Sequence, residues 1–187
     1  KKTQYKGEAH FLRGLYYFNL VRLFGDVPWI DKQQTASDDL QVSRTSKDIV
    51  YQHIIDDFSD AASMLPAVYE NTTDIGRATK GAAFGLLAKV YLTLKRYNET
   101  LVAIDSVMNL GVYSLNRKYE WNFSDLRENG PESLFEVQYE KDVTAYSEFD
   151  ILGQGGWHHE YMAPLASINI GGPWGNFGWF AVYPEFV

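Results

Sequence analysis

The sequence predicts a mainly α protein in which helical hairpins carry an irregular, loop-rich part. Three observations predict it. Apolar residues recur at helical spacing through four segments before residue 111. The last two of these segments are joined at Tyr97-Asn98, a link too short for anything but an antiparallel hairpin. Beyond Tyr113 the helical period gives way to glycine and aromatic residues. The chain therefore divides into a helical scaffold, residues 1–113, and the start of an irregular part, residues 114–187.

The first segment, residues 5–24, is apolar on nearly every side, with Ala9, Phe11, Leu12, Leu15, Tyr16, Phe18, Leu20, Val21 and Leu23. Glu8, Asn19 and Arg22 fall close to one line, so the helix is expected to be buried on most of its circumference. Arg13 lies off that line and, if buried, needs a carboxylate partner. Gly25 supplies a C-terminal stop and Asp26-Val27-Pro28 turns the chain away.

After a polar insertion, residues 26–44, Thr45 and Asp48 stand three apart as a capping signature. The following helix places Tyr51, Ile54, Phe58, Ala61, Ala62 and Leu65 on one face. Gln52, Asp56, Ser59, Asp60 and Ser63 occupy the other, and Pro66 ends the helix. Asp56, Asp57 and Glu8 read as solvated carboxylates rather than acid/base groups.

The third and fourth helices are expected near 78–95 and 97–110, the latter closed by Gly111. Gly81, Ala82, Ala83, Gly85 and Ala88 let a neighbour approach closely. An interior Gly costs ~1 kcal/mol of helix propensity, so Gly85 calls for a packing reason. The spacing of Phe84, Leu87, Ala88, Tyr91, Tyr97, Thr100, Ile104 and Val107 matches a tetratricopeptide repeat, with Thr100 replacing the usual Ala. On that register Tyr91 and Ile104 meet at the hairpin interface. The first two helices make a looser second hairpin.

Past Tyr113, residues 132–139 read as a short strand after the turn Asn129-Gly130-Pro131. From Gly153 onward neither helical nor strand period survives. Trp157, Tyr161, Trp174, Trp179 and Phe180 stand there among glycines. One use for such rings is stacking on the flat faces of sugars, with Asn176 supplying a hydrogen bond; the other is a satellite core beneath the loop. Trp157, Tyr161, Trp174, Asn176 and Trp179 are the candidate ligand contacts. Trp29, on the 26–44 insertion, is the fallback anchor.

Other chemistry is poorly supported. The net charge of −7 comes without a Lys/Arg cluster, which argues against nucleic acid. No apolar run approaches the ~18 residues of a membrane helix. The chain has no cysteine, which removes disulfides and thiolate sites. The adjacent His158 and His159 do not converge on one ion from either a helix or a strand. No nucleophile elbow or phosphate loop is present, so we expect neither catalysis, metal nor cofactor. The chain opens on Lys1, and residues 183–187 read as the first turn of another helix. Both ends are therefore expected to be cuts in a longer polypeptide.

Three ordered blocks carry a resemblance. The first comprises Glu8-Ala9-His10-Phe11-Leu12-Arg13-Gly14-Leu15-Tyr16-Tyr17-Phe18 and Leu20-Val21-Arg22-Leu23-Phe24-Gly25-Asp26-Val27-Pro28. The second comprises Gly76-Arg77-Ala78-Thr79-Lys80-Gly81-Ala82-Ala83 and Leu87-Ala88-Lys89-Val90-Tyr91-Leu92, and the third is Pro131-Glu132-Ser133-Leu134-Phe135-Glu136-Val137-Gln138-Tyr139. Together they resemble the SusD/RagB family, surface lipoproteins that partner TonB-dependent outer-membrane transporters in Bacteroidota. The resemblance implies tetratricopeptide-like helix pairs, capture of a glycan at the cell surface and delivery to the transporter. Some relatives serve peptide import instead. A lipid anchor would lie outside these residues, and would be the only membrane attachment. The blocks are scaffold motifs, so no ligand residue carries over. Two other classes compete: a tetratricopeptide adaptor gripping a peptide or protein, and a helical glycoside hydrolase, for which no opposed carboxylate pair can be placed.

Overall fold

The structure, a computed structural model, describes residues 1–35, 41–124 and 127–138. Residues Lys1–Val137 form one compact unit. Its helices are α1 (Lys2–Phe24), α2 (Lys47–Met64), α3 (Lys80–Thr93) and α4 (Tyr97–Met108), with short 3-10 turns at Thr72–Asp74 and Tyr119–Phe123. Packing is mainly sequential: α1 on α2, α2 on α3, and α3 on α4.

The α1–α2 pair is antiparallel, because Gly7 meets Met64, Gly14 meets Phe58, and Phe18 meets Tyr51. A Cβ at Gly7 would lie 2.9 Å from the Met64 Cβ, and one at Gly14 3.1 Å from the Phe58 ring. These glycines, two turns apart, let α2 lie directly on the α1 backbone. The core between them is Phe11, Phe18, Val50, Ile54 and Phe58, extended by Ala82, Ala83, Leu87 and Val90 of α3. The predicted face of α2 is the one buried, with Tyr51 at its margin.

Burial on most of the α1 circumference is not observed. Its buried residues are Gly7, Phe11, Gly14, Phe18 and Val21, a single stripe, while Leu12, Tyr16, Leu20 and Leu23 are exposed. Among the described helices only α2 and, slightly, α3 pack on α1, and they meet it along that stripe. The Thr45/Asp48 capping signature also fails. Ser46 occupies the N-cap without a side-chain cap bond. The Lys47 N–H instead donates to Asp26 Oδ1 at 2.8 Å, placing a carboxylate at the positive end of α2. That bond and the Val27–Thr45 bridge close the neck of the 26–44 insertion.

In the second hairpin Thr79 caps α3, its hydroxyl accepting from the Ala82 N–H at 3.1 Å. The link is residues 94–96 rather than Tyr97-Asn98: Tyr97 is already helical, and Lys95 makes the reversal at φ 59°. Gly111, at φ 66°, follows α4 as expected. The packing reason for Gly85 is Leu134, whose Cδ1 would lie 2.6 Å from an added Cβ; Gly81 faces the Tyr113 ring in the same way.

The hairpin interface corrects the repeat register at one position. Thr100, Ala103 and Val107 are the buried residues of α4, whereas Ile104 is 44% exposed. The small Ala103 takes the closest approach to α3, and Ile104, about 100° further round, is turned to the margin. Ile104→Ala is therefore expected to shift stability by less than about 1 kcal/mol in a denaturant melt. A loss of several kcal/mol would show that this side chain is packed.

Residues 132–138 are not a strand. Among the described residues the only ladder contact is the isolated Val27–Thr45 bridge, and none of them pairs with this segment as a strand. The segment lies on the helices instead: Phe135 packs edge-on to Phe11, centroids 4.9 Å apart, and Leu134 fills the groove at Gly85. Its apolar residues are spent on helix contact rather than on a sheet face.

Candidate functional site

Two carboxylates read as solvated are in fact ion-paired. Asp57 is 2% exposed. Arg13 grips it with two bonds, Nε to Oδ2 at 2.8 Å and Nη2 to Oδ1 at 2.6 Å. His10 Nδ1 lies 2.7 Å from Oδ1 and must be protonated there to donate, since a carboxylate only accepts. The partner expected for Arg13 is thus present, 44 residues along the chain. The hydrogen bond to Asp57 raises the Arg13 pKa, outweighing burial, which works against the charge. Asp56, by contrast, remains exposed.

Glu8 forms the second centre. Arg77 Nε donates to Oε1 at 2.9 Å and its Nη2 donates to Oε2, while Gln4 Nε2 donates to Oε1 at 3.0 Å. The Tyr69 hydroxyl lies 3.1 Å from Glu8 Oε1 and 2.9 Å from the Ala78 carbonyl oxygen. Burial and the Glu8 hydrogen bond push Tyr69 up to about 12. For Glu8, burial alone would raise the pKa, but the bonds from Arg77, Gln4 and Tyr69 hold it below the ordinary 4.5. A carboxyl depressed in the folded state stabilises the fold above its unfolded value, and that stabilisation is lost as pH falls through the folded value. The stability difference between wild type and Glu8→Gln should hence be constant near neutrality and shrink below pH 4.5. A difference that does not change on acidification would show that Glu8 is not held in this way.

The Glu8–Arg77 pair joins the first motif block to the second, and Phe135 and Leu134 join the third to both. Beside this junction a cleft of about 240 Å³ opens between residues 67–79 and 112–136. Tyr69, Arg77, Tyr113, Leu134 and Phe135 line it. Tyr113 is held by a 3.0 Å hydrogen bond between its hydroxyl and that of Thr79. With Arg77 occupied by Glu8, the cleft offers aromatic and backbone surface rather than a free charge. This suits an uncharged ligand group better than an anion.

Trp29, the fallback anchor, is engaged internally. Its ring stacks on His53 at 4.5 Å, tilts against Tyr17 at 4.3 Å and has the Arg13 guanidinium 5.0 Å from its centroid. The Tyr17 hydroxyl accepts from Ile30 N at 2.9 Å and donates to the Pro28 carbonyl at 3.2 Å. These contacts bind the insertion to α1 and α2. Trp157, Tyr161, Trp174, Asn176 and Trp179, with His158 and His159, lie outside the described residues. No cluster of three metal-ligating side chains, and no helix long and apolar enough to cross a membrane, occurs among the described residues.

Comparison with known proteins agrees with this arrangement. The SusD-like family profile described as starch-binding associating with outer membrane matches residues 1–92. SusD-like protein P25 of Formosa agariphila is 25% identical over 84% of this chain and 32% of its own length. A SusD-like protein of Bacteroides fragilis superposes with a TM-score of 0.69 at 36% identity, covering 75% of this chain and 28% of that one. A laminarin-binding SusD-like protein superposes at 0.64 with 29% identity, covering 72% and 31%. The chain thus spans about a third of the length of the relatives it matches.

Proposed function

This chain belongs to the SusD/RagB family, and from that premise we propose that it is part of a cell-surface glycan-binding protein of an outer-membrane nutrient-uptake system. The observation that carries the reading is the joint match of sequence and fold to a laminarin-binding relative. In this reading the helices are scaffold, and the protein hands oligosaccharide to a TonB-dependent transporter. It is held at the outer membrane by a lipid anchor outside these residues. We expect it to bind without hydrolysing, and Glu8 and Asp57, held in ion pairs, are not offered as an acid/base pair.

The contacts proposed for the main ligand site are Trp157, Tyr161, Trp174, Asn176 and Trp179. Gel mobility of the full-length protein in laminarin or soluble starch tests the reading. Retardation by at least one polysaccharide is expected, without release of reducing ends. Alanine at one or more of Trp157, Trp174 and Trp179 should weaken binding by ~1 kcal/mol or more and leave stability unchanged. Normal mobility in every glycan, or sustained hydrolysis, would overturn it. The exposed apolar residues Leu101, Ile104 and Met108 of α4 favour one second reading, a protein- or peptide-binding adaptor. Glycan-independent peptide binding lost on Met108→Glu would support that instead.

A further inference from the structure

The faces by which α1 and α2 meet repeat every seven residues. On α1 the buried stripe is Gly7, Gly14 and Val21, with Phe11 and Phe18 between them. On α2 Val50, Asp57 and Met64 stand at the same interval, as do Ile54 and Ala61. A slip of one helix along the other by a heptad, roughly 10 Å, keeps this pattern in phase. It would set Met64 on Gly14, or Phe58 on Gly7, in place of the observed Met64–Gly7 and Phe58–Gly14 contacts. The apolar stripe thus defines the face of each helix more sharply than its register. The neck of the insertion adds one exposed hydrogen bond, from Lys47 N–H to Asp26 Oδ1, and the Val27–Thr45 bridge, both at one end of the pair.

One group in the interface does not repeat. Asp57 is the only charged residue fully buried among the described residues, and its heptad neighbours on α2 are Val50 and Met64. Its donors on α1 do not recur either. Seven residues after His10 and Arg13 stand Tyr17 and Leu20, and seven before them stand Thr3 and Lys6. Only in the observed register does the carboxylate receive both prongs of Arg13, at 2.8 and 2.6 Å, with His10 Nδ1 at 2.7 Å. A slip one way leaves Asp57 with a phenol beside Leu20. The other way offers a lone ammonium, without the planar fork that matches a carboxylate. In either case Arg13 faces Val50 or Met64 instead of a charge. Asp60, whose Oδ2 lies 4.0 Å from His10 Nε2, is 56% exposed on its side chain and is solvated in any register.

We propose that Asp57, Arg13 and His10 form a register key, which selects this pairing of α1 with α2 over its heptad slips. A buried ion pair adds little net stability, because desolvation offsets the attraction, but parting it from its partners is costly. It therefore discriminates between registers far more than it stabilises any one of them. A single polar residue in the seam of a coiled coil acts in the same way. The choice reaches beyond the hairpin. Arg13 also lies 5.0 Å from the Trp29 ring centroid, and Glu8 on α1 receives Arg77, so a slip would part α1 from both the insertion and the second motif block.

The test uses full-length protein carrying Leu23→Cys on α1 and Ile49→Cys on α2, spin-labelled, with the label separation measured by pulsed electron resonance. The native key should give one separation. His10→Leu/Arg13→Met/Asp57→Leu should melt at or above the wild-type temperature, yet show a new separation displaced by up to about 10 Å, alone or beside the native one. Asp57→Asn keeps a polar acceptor for the same donors, and should melt lower than wild type while retaining the single native separation. An apolar variant with only the native separation would overturn the proposal, since the stripe and the neck would then suffice. So would an apolar variant that melts well below wild type or does not fold, because the triad would be supplying stability and not choice. Two separations in Asp57→Asn would overturn it as well.

Discussion

Phe58→Ala is expected to lower unfolding stability by about 4 kcal/mol, the largest effect of any single change considered for this chain. Phe58 is fully buried and meets Phe11 edge to face at 5.9 Å, while its ring edge rests on the α1 backbone at Gly14. Removing the ring leaves a cavity between two helices that cannot close it, because Gly14 has no side chain to move in. Phe11 would also lose the partner that positions it against Phe135. Chemical denaturation measures the loss; a cost below ~1 kcal/mol would mean that α1 and α2 do not pack through this pair.

Asp57→Ala is expected to cost about 3 kcal/mol. The carboxylate is buried and answers two donors, so its removal strands the Arg13 guanidinium and the His10 ring N–H together. Arg13 is 32% exposed on its side chain and can partly re-solvate, which puts the effect at the lower end for a broken buried pair. The same change should loosen the insertion, because Arg13 lies over Trp29. Hydrogen exchange at residues 27–30 ought to quicken in the variant. A double-mutant cycle with Arg13→Met isolates the pair: near-additive losses would show that the two groups do not act together.

Four helices were legible because their signals are local. The spacing of Ile54, Phe58, Ala61 and Leu65, the stops at Gly25, Pro66 and Gly111, and the crowding of small residues around Gly85 all lie within a few turns of the segment they describe. The same holds for the three motif blocks that carry the family resemblance. Candidate ligand contacts were harder to read. Trp157, Tyr161, Trp174, Asn176 and Trp179 stand out by composition, and composition carries no spacing that separates an exposed ring from a buried one.

What the sequence by itself determined, then, is that four helices form and roughly where they lie, since periodicity and backbone stops act within one element. The start of α2, by contrast, is met by Asp26 from outside it. Only the tertiary structure decided which side of each helix is covered. Leu12, Tyr16 and Ile104 carry as much apolar surface as their buried neighbours, but no described element lies against them. The partners of Asp57 and Glu8 were decided at the same level. The pairs join residues 44, 47 and 69 positions apart, and nothing in either short segment marks the contact until α2 lies against α1 and Arg77 reaches Glu8. Residues 132–138 complete the point: a strand-like run makes a strand only where a second strand offers its backbone, and here Leu134 meets α3 at Gly85 instead.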